Sequence, residues 1–164
     1  MSYYDINQHR LPSGDWEPIV VKQEGDRRLG PEQYAAIAAF RYELRRFLAF
    51  SEAAASVEGL PSQQHQALLT IAGHQGQEPP TVGTIADQLL VAPHTAAELV
   101  SRMERSGLLI KTSALHDRRR VELTLTPKAE ALLHRLTSAH IEELTNLEPA
   151  LSRALRRLER RLRA

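Results

Sequence analysis

The chain has 164 residues, 42% hydrophobic and 25% charged, which suits one globular core with appendages and excludes two large ones. Aromatic residues make up only 5%, and the leucine-, alanine-, arginine- and glutamate-rich remainder favours helices over a large twisted sheet. The lack of cysteine excludes disulfides, cysteine-ligated metals and thiol chemistry. With no apolar run long enough to span a bilayer and no secretory signal at the start, a soluble cytoplasmic protein is expected, with no membrane association.

The net charge is +1, but the charges are clustered. Between Pro93 and Arg120 the basic residues Arg102, Arg105, Lys111, Arg118, Arg119 and Arg120 face only the acids Glu98, Glu104 and Asp117.

Residues 1–30 carry scattered Pro and Gly without periodicity and read as an irregular arm. From Pro31 to about Ser56, Ile37, Phe40, Leu44, Phe47 and Leu48 recur at spacings of three and four, which predicts an amphipathic helix. Gly59 and Pro61 interrupt it. Ser62 then caps a second helix with an apolar face of Leu68, Leu69, Ile71 and Ala72, ended by Gly76–Pro80. Thr81 caps a short third helix, and Pro93 opens a fourth that stops before Gly107. The period then changes: Leu108–Lys111 and the alternating Val121, Leu123 and Leu125 predict two strands, joined by a polar segment tipped with arginines. Thr126 and Pro127 start a helix bearing Leu132, Leu133, Leu136, Ile141 and Leu144. A last helix follows, with Leu151, Leu155, Leu158 and Leu162 on one face and arginines around the rest.

Helix, turn, helix and hairpin in that order make a winged helix-turn-helix, whose second helix is shaped for the DNA major groove. The fold class is therefore mainly α with a small β-hairpin wing. On the fourth helix Ala96, Leu99, Val100 and Met103 should face the core. Pro93, His94, Thr95, Ala97, Glu98, Ser101 and Arg102 are left towards solvent or DNA. Thr95 and Ala97 suit a thymine methyl, Glu98 a cytosine amino group, and Arg102 a guanine or a phosphate. Arg118, Arg119 and Arg120 at a hairpin tip suit the negative potential of a minor groove, with Asp117 orienting one of them.

The segments Thr81-Val82-Gly83-Thr84-Ile85-Ala86-Asp87-Gln88-Leu89, Leu99-Val100-Ser101-Arg102-Met103-Glu104-Arg105-Ser106-Gly107-Leu108-Leu109, Asp117-Arg118-Arg119 and Leu125-Thr126-Pro127-Lys128 resemble, in order and spacing, the MarR family of transcription regulators. The resemblance covers roughly residues 35–162. It implies a helical dimerisation region (31–60 and 127–164) flanking a DNA-binding domain (61–126), a homodimer on a pseudo-palindromic duplex operator, and repression relieved by a small aromatic or anionic ligand. The crevice it suggests for that ligand lies between the helix with Arg41 and Arg45 and the helix with His65 and Leu69. The two arginines suit an anion or, more commonly, salt bridges to Glu32, Glu43 or Glu52. Ala92 stands where relatives have a capping serine, and Ala129 where they have glycine.

Other readings are weaker. A winged helix can be a protein-interaction module that never touches DNA. The histidines lack the i, i+4 spacing that would place two imidazoles on one ion, so no metal site is expected and most should be surface or capping groups. No phosphate loop or nucleophile elbow appears, so neither a cofactor nor catalysis is expected.

Overall fold

The computed structural model describes residues 30–114 and 120–162, the side chains of 158–162 excepted. The N-terminal arm and Asp117, Arg118 and Arg119 lie outside these residues. The element order is α1 (Pro31–Val57), α2 (Ser62–Ala72), α3 (Val82–Leu89), α4 (Pro93–Arg105), β1 (Leu109–Ser113), β2 (Val121–Leu125) and α5 (Pro127–Leu162). No described helix is long and apolar enough to cross a membrane. The chain divides into two compact units, residues 63–131 and residues 30–62 with 132–162.

In the first unit, α3 and α4 pack on each other and on a two-stranded antiparallel hairpin, in register from Leu109 opposite Leu125 to Ser113 opposite Val121. Leu108, predicted as the first strand residue, is taken up elsewhere. Its N–H donates to the Met103 carbonyl at 3.0 Å, closing the end of α4, and its carbonyl accepts from the Thr126 N–H at 3.2 Å. The strand therefore starts one residue later and runs two further. The core comprises Leu68, Ile85, Leu99, Val100, Met103, Leu109 and Leu123. The buried face of α2 differs from the expected one: His65, Ala67, Leu68 and Ile71 are buried, while Leu69 and Ala72 are exposed. Steps of three from His65 to Leu68 to Ile71 define the inward stripe, and Leu69 falls beside it.

The turn between α3 and α4 is sharp and unusual. Val91 N–H donates to the Ala86 carbonyl at 3.0 Å and Leu90 N–H to Asp87 at 3.3 Å, a Schellman-type end that needs a left-handed residue. That residue is Leu90, with φ 55°, whereas the corresponding position after α4 is Gly107, with φ 68°. A leucine there places its Cβ against the carbonyl, which costs about 1 to 2 kcal/mol.

In the second unit, α5 is one helix, not the expected two: helical bonding continues past Pro149. Proline removes one N–H donor and crowds the carbonyl four residues back. Here Leu147 and Ala154, buried on either side, hold the flanking turns in place. His140 is buried too, as is His65, against the expectation of surface histidines. Its Nδ1–H donates to the Leu136 carbonyl at 2.5 Å, its Nε2 lies 2.8 Å from the Ser51 hydroxyl, and the rings of Phe47 and Phe50 meet it edge-on. These partners replace the water that a surface histidine would use. Arg135 grips Glu58, its Nε donating to both carboxylate oxygens at 3.2 Å and its Nη2 to one at 2.6 Å.

Leu90→Gly should raise stability by about 1 kcal/mol in urea unfolding, because relief of the left-handed strain exceeds the entropy a glycine adds to the unfolded chain. A loss of stability would contradict the strain. The hydrogen bonds from Arg135, stronger than the opposing desolvation, hold the Glu58 carboxyl below its ordinary value of 4.5. A depressed carboxyl stabilises the fold above its unfolded value, and that contribution disappears as pH falls through the folded one. Glu58→Gln should therefore lower the urea midpoint at neutral pH, at fixed protein concentration, with the gap to the native protein closing below pH 4.5. A gap independent of pH would show that the ion pair is not its source.

Candidate nucleic-acid interface

The helix-turn-helix starts at Thr81, whose hydroxyl accepts from the Thr84 N–H at 3.4 Å while the Thr84 hydroxyl accepts from the Thr81 N–H at 3.1 Å. This reciprocal cap lets an eight-residue helix begin cleanly and bury Ile85 and Ala86. α4 has no such help. Ala92 at its N-cap makes no side-chain bond, and Pro93 supplies the preset φ instead.

Ala96, Leu99, Val100 and Met103 are at most 3% exposed, which fixes the rotation of α4. Pro93, His94, Ala97, Glu98 and Arg102 are exposed as a result, and Thr95 and Ser101 partly so. The structure thus brings the candidate groove-facing residues of α4 onto one surface. Ala97, Glu98, Ser101, Arg102 and Arg105 line a shallow depression of about 380 Å³. Arg105 was not among the sequence candidates. It stands four residues after Ser101 and seven after Glu98, so helical periodicity alone places it on this face. Its Nε donates to the Ser101 carbonyl at 3.3 Å, which leaves its guanidinium along the exposed surface.

The basic residues of the lobe are not equivalent. Lys111 is paired with Glu104 at 2.6 Å, and Arg120 with Glu78. Arg102 and Arg105 stand exposed on α4. Lys128 Nζ donates to the Ser106 carbonyl at 2.9 Å and the Thr126 hydroxyl to Gly107 at 2.7 Å, which ties the start of α5 to the end of α4.

The four ligand candidates divide between the units. Arg41 and Arg45 are exposed on α1, where Arg46, not they, pairs with Glu43 at 3.1 Å. On α2 His65 is buried, and Leu69 borders a depression of about 360 Å³ with Thr70, Gly73, His74, Gln75 and Gln88. Among the described residues no cluster of metal-ligating side chains occurs.

Residues 58–120 match the model of the MarR family. The matched segment holds α2, α3, α4 and β1 and ends just before β2. No curated protein matches the chain. Among solved structures, MepR, a transcription regulator of the Staphylococcus aureus multidrug efflux pump MepA, is 22% identical, with 79% of this chain and 93% of that one covered and a TM-score of 0.61. A point mutant of S. aureus MepR bound to an oligodeoxyribonucleotide is 23% identical over 71% of this chain and 82% of that one, with a TM-score of 0.57. CouR from Rhodococcus jostii RHA1, bound to p-coumaroyl-CoA, is 19% identical over 62% and 69%, with a TM-score of 0.54. These three share the fold of this chain.

Proposed function

We propose that this chain is a MarR-family transcription regulator, a homodimeric repressor that reads a pseudo-palindromic duplex operator and is released by a small aromatic or anionic ligand. The observation that carries the reading is the presentation of α4: four apolar residues locked inward and a polar face of His94, Thr95, Ala97, Glu98, Ser101 and Arg102 outward, beside a hairpin. Such a helix fits the major groove, and the DNA-bound relative of the same fold supports that use.

The dimer is supported by apolar surface on the two long helices. Ile37, Leu44 and Leu48 on α1 and Ile141, Leu144 and Leu155 on α5 are each at least 41% exposed. Exposed apolar side chains repeated along long helices mark an interaction face, and a second copy supplies a matching one. A dimer would set two recognition helices about 34 Å apart, one turn of the duplex, with Arg118 and Arg119 entering the flanking minor grooves and Asp117 orienting them. A ligand that favours a different separation shifts the population away from the DNA-binding form. Arg41, Arg45, His65 and Leu69 are the residues nominated for it, and the ligand-bound relative supports such control. The role needs no catalytic residue and no cofactor.

Arg118→Ala and Arg119→Ala should each weaken binding to every duplex and flatten the dependence of log affinity on log salt by about one unit. Thr95 and Arg102 substitutions should change the preference among operator variants instead. Unchanged affinity in both wing variants would remove the minor-groove role, and sedimentation of the native protein as a monomer would remove the dimer.

A further inference from the structure

Arg120 sits at the root of the hairpin's return strand, one residue before β2, and is engaged with the loop between α2 and α3. Its Nη1 donates to the Glu78 carboxylate and its Nη2 to the Pro79 carbonyl at 3.4 Å, while its Nε is buried. The next residues of that loop hold the same strand through the main chain: Leu123 N–H donates to the Pro80 carbonyl at 2.9 Å, and Thr81 bridges to Glu122. On the hairpin's inner side the Ala114 N–H donates to the Arg120 carbonyl at 3.0 Å. The loop is itself stiff, since Pro79 and Pro80 fix two successive φ angles and His74 Nε2 lies 3.0 Å from the Glu78 carbonyl.

The guanidinium is thus turned towards this loop, and its charge is met by a carboxylate. A phosphate would have to compete with that carboxylate for it. Arg118 and Arg119 directly precede Arg120 in the chain, so a hold on Arg120 is a hold on the residue they are joined to.

We propose that Glu78 is a positioning residue for the wing, and that Arg120, held by it, is a wing anchor and not a phosphate contact. This rests on the DNA-binding reading above. The two assignments predict effects of opposite sign. Losing Glu78 makes the protein one unit more positive, which by itself tightens binding to DNA and would also free Arg120 for a phosphate. Loss of an anchor loosens the wing and weakens binding despite the added charge.

The test uses full-length native protein, Glu78→Ala, Arg120→Ala and the charge swap Glu78→Arg with Arg120→Glu, titrated against random-sequence duplex DNA over a range of salt concentrations. Amide hydrogen exchange is followed in the free proteins. Each single variant should weaken binding about twofold to fivefold, the range open to an exposed ion pair, without changing the salt slope. Both should speed exchange at Ala114 and Leu123, and the swap should restore affinity and protection. Tighter binding by Glu78→Ala, a salt slope flattened by Arg120→Ala, or a swap that restores nothing would overturn the proposal, as would variants unchanged in both measurements. Failure of the native protein to bind any duplex would overturn the DNA-binding reading, and with it the role in DNA binding. The exchange data would then decide the anchor alone.

Discussion

Burial of Ala96, Leu99, Val100 and Met103 against α3 and the hairpin sets the rotation of α4, and most of the candidate interface follows from that angle. Turning a helix by one residue moves each side chain by about 100°, which in one sense would bury Glu98 and expose Val100, and in the other would bury Glu104 and expose Leu99. Burying one unpaired carboxylate costs far more than any single groove contact returns, so the alternative rotation is closed. The same packing explains why a strained Leu90 is tolerated. The turn has to bring α4 back across α3 within a few residues, and the apolar area buried beyond it outweighs a strain of about 1 to 2 kcal/mol.

Electrostatics then separate the basic residues by task. The sequence shows a local positive excess between Pro93 and Arg120, but within the fold Glu104 occupies Lys111 and Glu78 occupies Arg120. The charge displayed on the described surface of this segment comes mainly from Arg102 and Arg105 on α4, with Glu98 beside them. An acidic residue on a groove-facing helix weakens indiscriminate attraction to phosphates while leaving base-edge contacts available, which suits recognition by sequence over affinity for bulk DNA.

Much of this was legible from residues alone, and the reasons are local. The caps at Thr81 and Thr126, the prolines at Pro31, Pro93 and Pro127 and the change of period after Gly107 each announce an element, and α4's inward face follows from its spacing. What was missed depends on tertiary partners. His65 and His140 look like surface residues until the fold encloses them, His140 with a hydroxyl, a carbonyl and aromatic edges. Pro149 looks like a helix end until flanking burial holds the turns together. The Glu78 to Arg120 pair joins residues 42 positions apart, which no local pattern reveals.

In the proposed function α4 reads sequence from a dimeric frame. The most direct measurement is selection of bound duplexes from a random pool by purified protein of known oligomeric state, at near-physiological salt. The account predicts a palindromic motif with half-sites about one helical turn apart, bound by a dimer. A folded, ligand-free protein that enriches no motif over nonspecific DNA would contradict it, and would turn the exposed face of α4 into a surface for a protein partner.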